Sequence, residues 1–162
     1  MGEKVALLAP TDFPILKAEA DVGADVLQTC GFNVDYQAMD WGTLVQRRAK
    51  PDPVDKGGWS LFHTFWAGLD QSNPVGHAFL RGNGKDALFG WPTAPKLEEL
   101  RSQWIEATDL DAQKKIAVEI QRQALIDVPY VPLGQTFAPT AFNKDISGVL
   151  NGFVIFWNAK KT

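Results

Sequence analysis

The sequence contains a single cysteine, Cys30, and only two histidines, His63 and His77, in 162 residues. One cysteine excludes an internal disulfide and any cysteine-based metal cage, and it is expected to pack as a small apolar residue at a helix end. The histidines stand at no recognised metal spacing, so neither a metal nor any other cofactor is expected. Clustered positive charge is also lacking: the formal net charge is −3, and the Arg47-Arg48 pair is too small a cluster for phosphate contacts, which argues against nucleic acid as a partner. No run approaches the roughly 18 apolar residues of a membrane span. Only four residues precede the apolar run Val5-Ala6-Leu7-Leu8, so no signal peptide is read, and the chain is expected to be a domain cut from something longer. Gly82-Asn83-Gly84-Lys85-Asp86 invites a phosphate-loop reading, but it lacks the longer glycine spacing and the Ser or Thr after its Lys, and that reading is rejected.

Aromatics, by contrast, are abundant. Six Trp and ten Phe exceed what packing usually requires and suggest contact with a ligand or partner. The length suits one domain, able to bury roughly 70% of its unfolded surface. Val5 to Ala9 form a continuous apolar run ended by Pro10, the pattern of a strand buried on both faces. Thr11 and Asp12 are candidate caps for a helix over 13–30, with Pro14 in its first turn and Gly31 as its stop. Residues 33–40 alternate as a second strand, with Val34, Tyr36 and Ala38 on one side. Asp40 then caps a short helix over 41–49, and Lys50 to Gly58 read as a linker.

Residues 59–66 are apolar, aromatic or β-branched and predict a third strand. Gly68 and Asn73-Pro74 break the pattern and leave Trp66 and Asp70 at its carboxyl end, where ligands bind in open α/β sheets. Trp can equally be core or rim, and Asp after Gly can equally be a turn residue. The long Gly-, Pro- and Asn-rich stretch from Asp70 to Pro95 is of a length that usually carries function. Two helices follow, over 97–107 (apolar at Leu97, Leu100, Trp104 and Ile105) and 111–128 (apolar at Ala112, Ile116, Ile120 and Ala124), the second opened by Thr108-Asp109. Pro129 and Pro132 force an extended segment. The order β-α-β-α-β implies an α/β fold with a mixed, mostly parallel sheet flanked by helices.

In this order the chain resembles the C-terminal lobe of family 5 solute-binding proteins, the dipeptide and oligopeptide receptors of bacterial ABC importers. The resemblance rests on Asp40-Trp41, Phe65-Trp66-Ala67-Gly68-Leu69-Asp70, Pro74, Phe79-Leu80, Ala94-Pro95-Lys96-Leu97 and Asp127-Val128-Pro129-Tyr130-Val131-Pro132-Leu133. It implies one lobe of a type II periplasmic-binding-protein fold, with residues 1–136 as the ligand-binding lobe, 129–136 as its crossing segment, and 137–162 returning to a missing N-terminal lobe. In peptide-binding members a Trp-x-x-Asp motif follows this strand, and its Asp holds the peptide ammonium. Here the motif is one residue longer: either Asp70 takes that role through a longer turn, or Leu69 stands in the position and the clamp is absent.

The resemblance further implies a non-catalytic, periplasmic binding lobe with a small-molecule solute, peptide-like or other, and membrane permease subunits as partners. The expected ligand-binding residues are Trp66, Asp70, His63, Phe65, Gly68, Asn73 and Trp41, with Trp66 stacking on the solute and Asp70 accepting a charged hydrogen bond. His63 matches a variable pocket position and equally reads as a packed strand residue. The apolar tail, without its natural cover, is expected either to fold back over its own lobe or to pack against another copy, with swapping as one route, and of the two we expect a dimer. Two rival readings are a small hydrolase using Asp70 and His63, for which no nucleophile elbow or paired carboxylates appear, and a protein-interaction module using exposed aromatics.

Overall fold

The computed structural model describes residues 2–137, 139–152 and 155–162, divided into two units, Met1–Val131 and Pro132–Thr162. In the first unit the apolar run forms strand β1, Lys4–Pro10. It lies in the middle of a three-stranded sheet, and Ala6, Leu7, Leu8 and Ala9 are entirely removed from solvent. Strand β2, Asn33–Met39, pairs with it in parallel from Lys4↔Asn33 to Pro10↔Met39. Strand β3, Leu61–Phe62, lies parallel on the other side in the register Leu7↔Leu61 and Leu8↔Phe62. The three expected strands therefore share one sheet, with parallel pairing throughout.

The third strand is much shorter than the 59–66 pattern predicts, and the reason lies in its partner. Two residues beyond Leu8↔Phe62 the ladder would meet Pro10, which has no N–H to donate. At the other end Ser60 bonds to Ala6 in both directions, its N–H donating to Ala6 O at 2.9 Å and its Oγ accepting from Ala6 N at 3.1 Å. The edge position of β2 likewise dilutes its alternation: Tyr36 and Ala38 are exposed rather than covered.

Helix α1, Pro14–Thr29, lays Leu16, Ala20 and Ala24 against the sheet. Neither expected cap serves it. Phe13 occupies the N-cap position without a side-chain bond. Asp12 Oδ1 instead accepts from Trp41 N at 2.8 Å, and Thr11 Oγ1 donates to Met39 O at 3.2 Å. Both residues thus tie the end of β1 to the end of β2. The helix stops where expected, with Gly31 at φ 90°, but Cys30 is exposed rather than packed, because it faces outward at the C-cap. Helix α2, Trp41–Arg48, is capped as its sequence requires: Asp40 Oδ1 accepts from Thr43 N at 2.9 Å, a bond worth about 1 kcal/mol.

Helices α3, Pro95–Glu106, and α4, Leu110–Asp127, pack on each other. Their core is Ala94, Leu97, Leu100 and Ile120, flanked by Leu80, Trp104, Ile116 and Ala124. Ile105 departs from the expected stripe and is exposed; the buried position on that side of α3 is Arg101. Asp109 caps α4 through Ala112 N at 2.8 Å. No helix among the described residues is long and apolar enough to cross a membrane.

In the second unit, β4, Ile146–Ser147, and β5, Lys160–Lys161, form a short antiparallel ladder. Thr162 N donates to Asp145 O at 2.8 Å beside it.

Candidate ligand-binding site

All three strands of the sheet run in parallel, so their carboxyl ends gather on one side. Three aromatic rings meet there. Phe13 follows β1, Trp41 follows β2 and Phe65 follows β3; the Phe13 ring lies 5.9 Å from Trp41 and 5.4 Å from Phe65, centroid to centroid. The bond from Trp41 N to Asp12 holds the first two of these termini together.

A second run begins at the next residue. Trp66 stands edge-on to Phe79 at 5.4 Å and 89°. Phe79 in turn contacts Tyr130 at 5.4 Å and His77 at 6.3 Å. The Tyr130 hydroxyl and His77 Nε2 share a hydrogen bond of 3.2 Å. Phe65 and Trp66 are 51% and 42% exposed, so these rings are arranged by their neighbours but not hidden by them. Together the two runs make a band of aromatic surface of the kind that lines small-molecule sites.

The other expected residues are dispersed around this band. Asp70 lies in the 3-10 turn Gly68–Gln71, exposed, its N–H donating to Ala67 O at 3.1 Å. Leu69 is in the same turn and also exposed. Asn73 Oδ1 accepts from Val75 N and Gly76 N, both at 3.0 Å, which makes it the opening residue of a turn. Gly68 has open space where a Cβ would stand. His63 is only 8% exposed and faces α1, where an added Cβ on Gly23 would come within 2.6 Å of its Cε1. Its Nδ1 is buried without a partner, and burial lowers its pKa, so it is held neutral. No hydrogen bond or ion pair joins it to Asp70.

Burial also lowers the pKa of His77, and the positive charge of Arg101 pushes it further down. Arg101 anchors the loop below the band. Its Nε donates to Pro74 O at 3.0 Å, its Nη1 bonds Glu98 at 2.7 Å, and Glu98 Oε1 accepts from Gly82 N at 2.6 Å. The long segment after Asp70 is therefore a set of short turns bonded to α3. No group of three or more His, Cys, Asp or Glu side chains suited to a metal ion occurs among the described residues.

Phe13, Phe79, His77 and Tyr130 are not among the residues that sequence reasoning selects. Phe13 was within reach of the same rule that selects Trp66, since it lies in the turn just past the end of β1. Tyr130 carries no local signal; it meets His77 across 53 positions.

No family model matches the chain. It is, however, 37% identical over 161 residues to a probable peptide ABC transporter periplasmic-binding protein of Sinorhizobium fredii, covering 99% of this chain and 30% of that protein. The chain is homologous to family 5 solute-binding proteins. Among solved structures, the dipeptide-binding protein from Pseudoalteromonas sp. SM9913 in complex with Met-Leu matches with a TM-score of 0.73 at 17% identity, over 99% of this chain and 32% of that one. NikA from Staphylococcus aureus, in complex with Ni(L-His)2, matches with a TM-score of 0.60 at 18% identity, over 79% and 26%. These two likenesses establish the fold, one lobe of a type II periplasmic-binding protein. The chain spans about a third of the length of the proteins it matches.

Proposed function

We propose that this chain is the ligand-facing C-terminal lobe of an extracytoplasmic solute-binding protein serving an ABC importer, and that it binds peptides or chemically similar small solutes without transforming them. In this reading residues 1–136 form the lobe and 137–162 return to an N-terminal lobe. Trp66 and Phe65 offer ring faces to the solute, Trp41 extends the surface, and Asp70 accepts from a cationic group. Gly68 shapes the turn that carries Asp70, and Asn73 the turn that follows it.

The observation that carries this reading is the band of rings at the carboxyl ends of three parallel strands, with Phe65 and Trp66 half exposed at its centre. Relatives named as peptide-binding proteins support it. The hydrolase reading loses support because His63 faces α1 while Asp70 lies on an exposed turn.

A graft tests the proposal. The chain replaces the matching segment of the Sinorhizobium fredii relative, and calorimetry with a peptide series compares the graft with the unmodified relative. The graft is expected to bind, and Trp66→Ala to weaken binding by about 1–3 kcal/mol. Asp70→Asn should weaken binding of a cationic solute more than that of a neutral one. A folded graft that binds nothing its parent binds, or that is indifferent to both substitutions, overturns the proposal.

A further inference from the structure

His77, Phe79 and Tyr130 form a closed triangle of rings. The centroids lie 6.3 Å apart for His77 and Phe79, 5.4 Å for Phe79 and Tyr130, and 5.4 Å for His77 and Tyr130. Ring pairs tolerate a range of tilts, whereas the bond of 3.2 Å between the Tyr130 hydroxyl and His77 Nε2 fixes two of these rings against each other. Trp66 stands on the Phe79 corner at 5.4 Å and 89°. Among the described residues no other ring meets Trp66, and no hydrogen bond holds its indole N–H. The direction of this half-exposed ring therefore depends on Phe79.

Both bonded residues are held from behind. His77 N donates to Asn73 O and Leu80 N donates to His77 O, both at 3.1 Å, so Phe79 rides on the 3-10 turn Ala78–Leu80 that His77 opens. Tyr130 follows Pro129 and Val128, and Val128 ends α4 at φ 45° with its N–H donating to Ala124 O at 2.9 Å. A left-handed conformation is an outlier for a β-branched residue, and among the described residues only Val128 and Trp91 adopt positive φ without being glycine. Strain of this kind persists where surrounding structure enforces it, and it concentrates at ligand sites. The residue type at 77 points the same way. Its ring is 8% exposed and its Nδ1 is buried without a hydrogen-bond partner, a cost that phenylalanine in the same place would not carry. What the imidazole adds is the bond to Tyr130.

We propose that His77 and Tyr130 are positioning residues for solute recognition: their hydrogen bond locks Phe79, and Phe79 sets the direction in which Trp66 presents its ring. This rests on the solute-binding reading and extends it to two residues whose polar groups bond to each other rather than to the solute. A bond that merely anchored the loop would matter for binding with or without Trp66; a bond that aims Trp66 matters only while that ring is present.

Two variants, Tyr130→Phe and His77→Phe, each remove the bond and keep a ring in place. In the 15N-labelled chain each should shift the Trp66 indole N–H signal, recognised by its absence in Trp66→Phe, while the signal of Trp104, beside the core between α3 and α4, stays in place. The double variant should shift the Trp66 signal no further than either single one. A Trp66 signal unmoved in both variants overturns the proposal. The second measurement uses the graft in the Sinorhizobium fredii relative and calorimetry with dipeptides that the unmodified relative binds. Tyr130→Phe should weaken binding about fivefold, and in a Trp66→Ala background it should change nothing. Equal weakening in both backgrounds, or none in either, overturns the proposal. A folded graft that binds none of these dipeptides fails the solute-binding reading and takes the role in recognition with it; the indole shifts need no solute, so the two failures are told apart.

Discussion

Replacing Gly23 by Ala tests which way His63 faces. Gly23 lies in the middle of α1, where alanine would ordinarily stabilise the helix by about 1 kcal/mol. Here the added Cβ would stand 2.6 Å from His63 Cε1 and 2.8 Å from its Nε2. The ring is only 8% exposed and has little room to retreat. Overpacking of this sort costs about 1–3 kcal/mol, so Gly23→Ala alone should be neutral to destabilising by about 2 kcal/mol. In a His63→Ala background the clash is absent, and the same substitution should stabilise by about 1 kcal/mol. The helix-propensity term cancels around the double-mutant cycle, leaving a coupling of about 1–3 kcal/mol that measures the contact itself. Urea unfolding followed by far-ultraviolet circular dichroism supplies the four stabilities. If Gly23→Ala stabilises equally in both backgrounds, His63 does not pack on α1, and its place in the pocket must be reconsidered.

Two other outcomes follow from buried charge. Arg101→Met leaves Glu98 without its cation and Pro74 O without its donor, and should destabilise by about 3–5 kcal/mol in the same unfolding assay; a loss under about 1 kcal/mol would show that the network is solvated. His63 and His77 both have pKa values lowered in the fold, chiefly by burial, so the unfolded chain binds more protons once pH drops below about 6.5. Their contribution is full above that pH and is lost as pH falls through the depressed folded values. Glu19, raised by burial, works in the opposite sense. The His63→Gln, His77→Gln double variant should therefore show a flatter decline in urea midpoint between about pH 6.5 and 5 than the unmodified chain, and an unchanged slope would refute this assignment.

What the sequence revealed, and what it withheld, follows from the range over which each feature is determined. The extent of β1, the Asp40 and Asp109 caps and the paired helices α3 and α4 depend on apolar spacing and on residues within one turn, and all could be read directly. The length of β3 depends on Pro10 in another strand, and so the apolar pattern over 59–66 overstated it. The aromatic band was half legible. Trp41, Phe65 and Trp66 follow from their place after strands, whereas Phe79 and Tyr130 join only through contacts between distant positions. The orientation of His63 had a signal that is easy to miss: a glycine inside a helix, where nothing in the helix itself requires one.

The tail poses a separate physical problem. In the second unit Phe137 is 87% and Trp157 88% exposed, and Phe142, Val149, Ile155 and Phe156 are exposed as well; Phe153 lies outside the described residues. The ladder between β4 and β5 has two residues on each side, and a hairpin even of ordinary length is marginal on its own in water. Nothing among the described residues of this unit can therefore gather those side chains into a core. Contiguous apolar surface of several hundred Å² is uncommon on a monomer and is relieved by association. In the lobe reading residues 137–162 would meet an N-terminal lobe; in this chain alone, cover comes from its own lobe or from another copy, and we expect the second. We expect light scattering to give a dimer whose population rises with concentration, and a chain truncated after Gln135 to be monomeric. A full chain that stays monomeric across the concentration range, or a truncated one that still dimerises, would show that the tail is not what drives association.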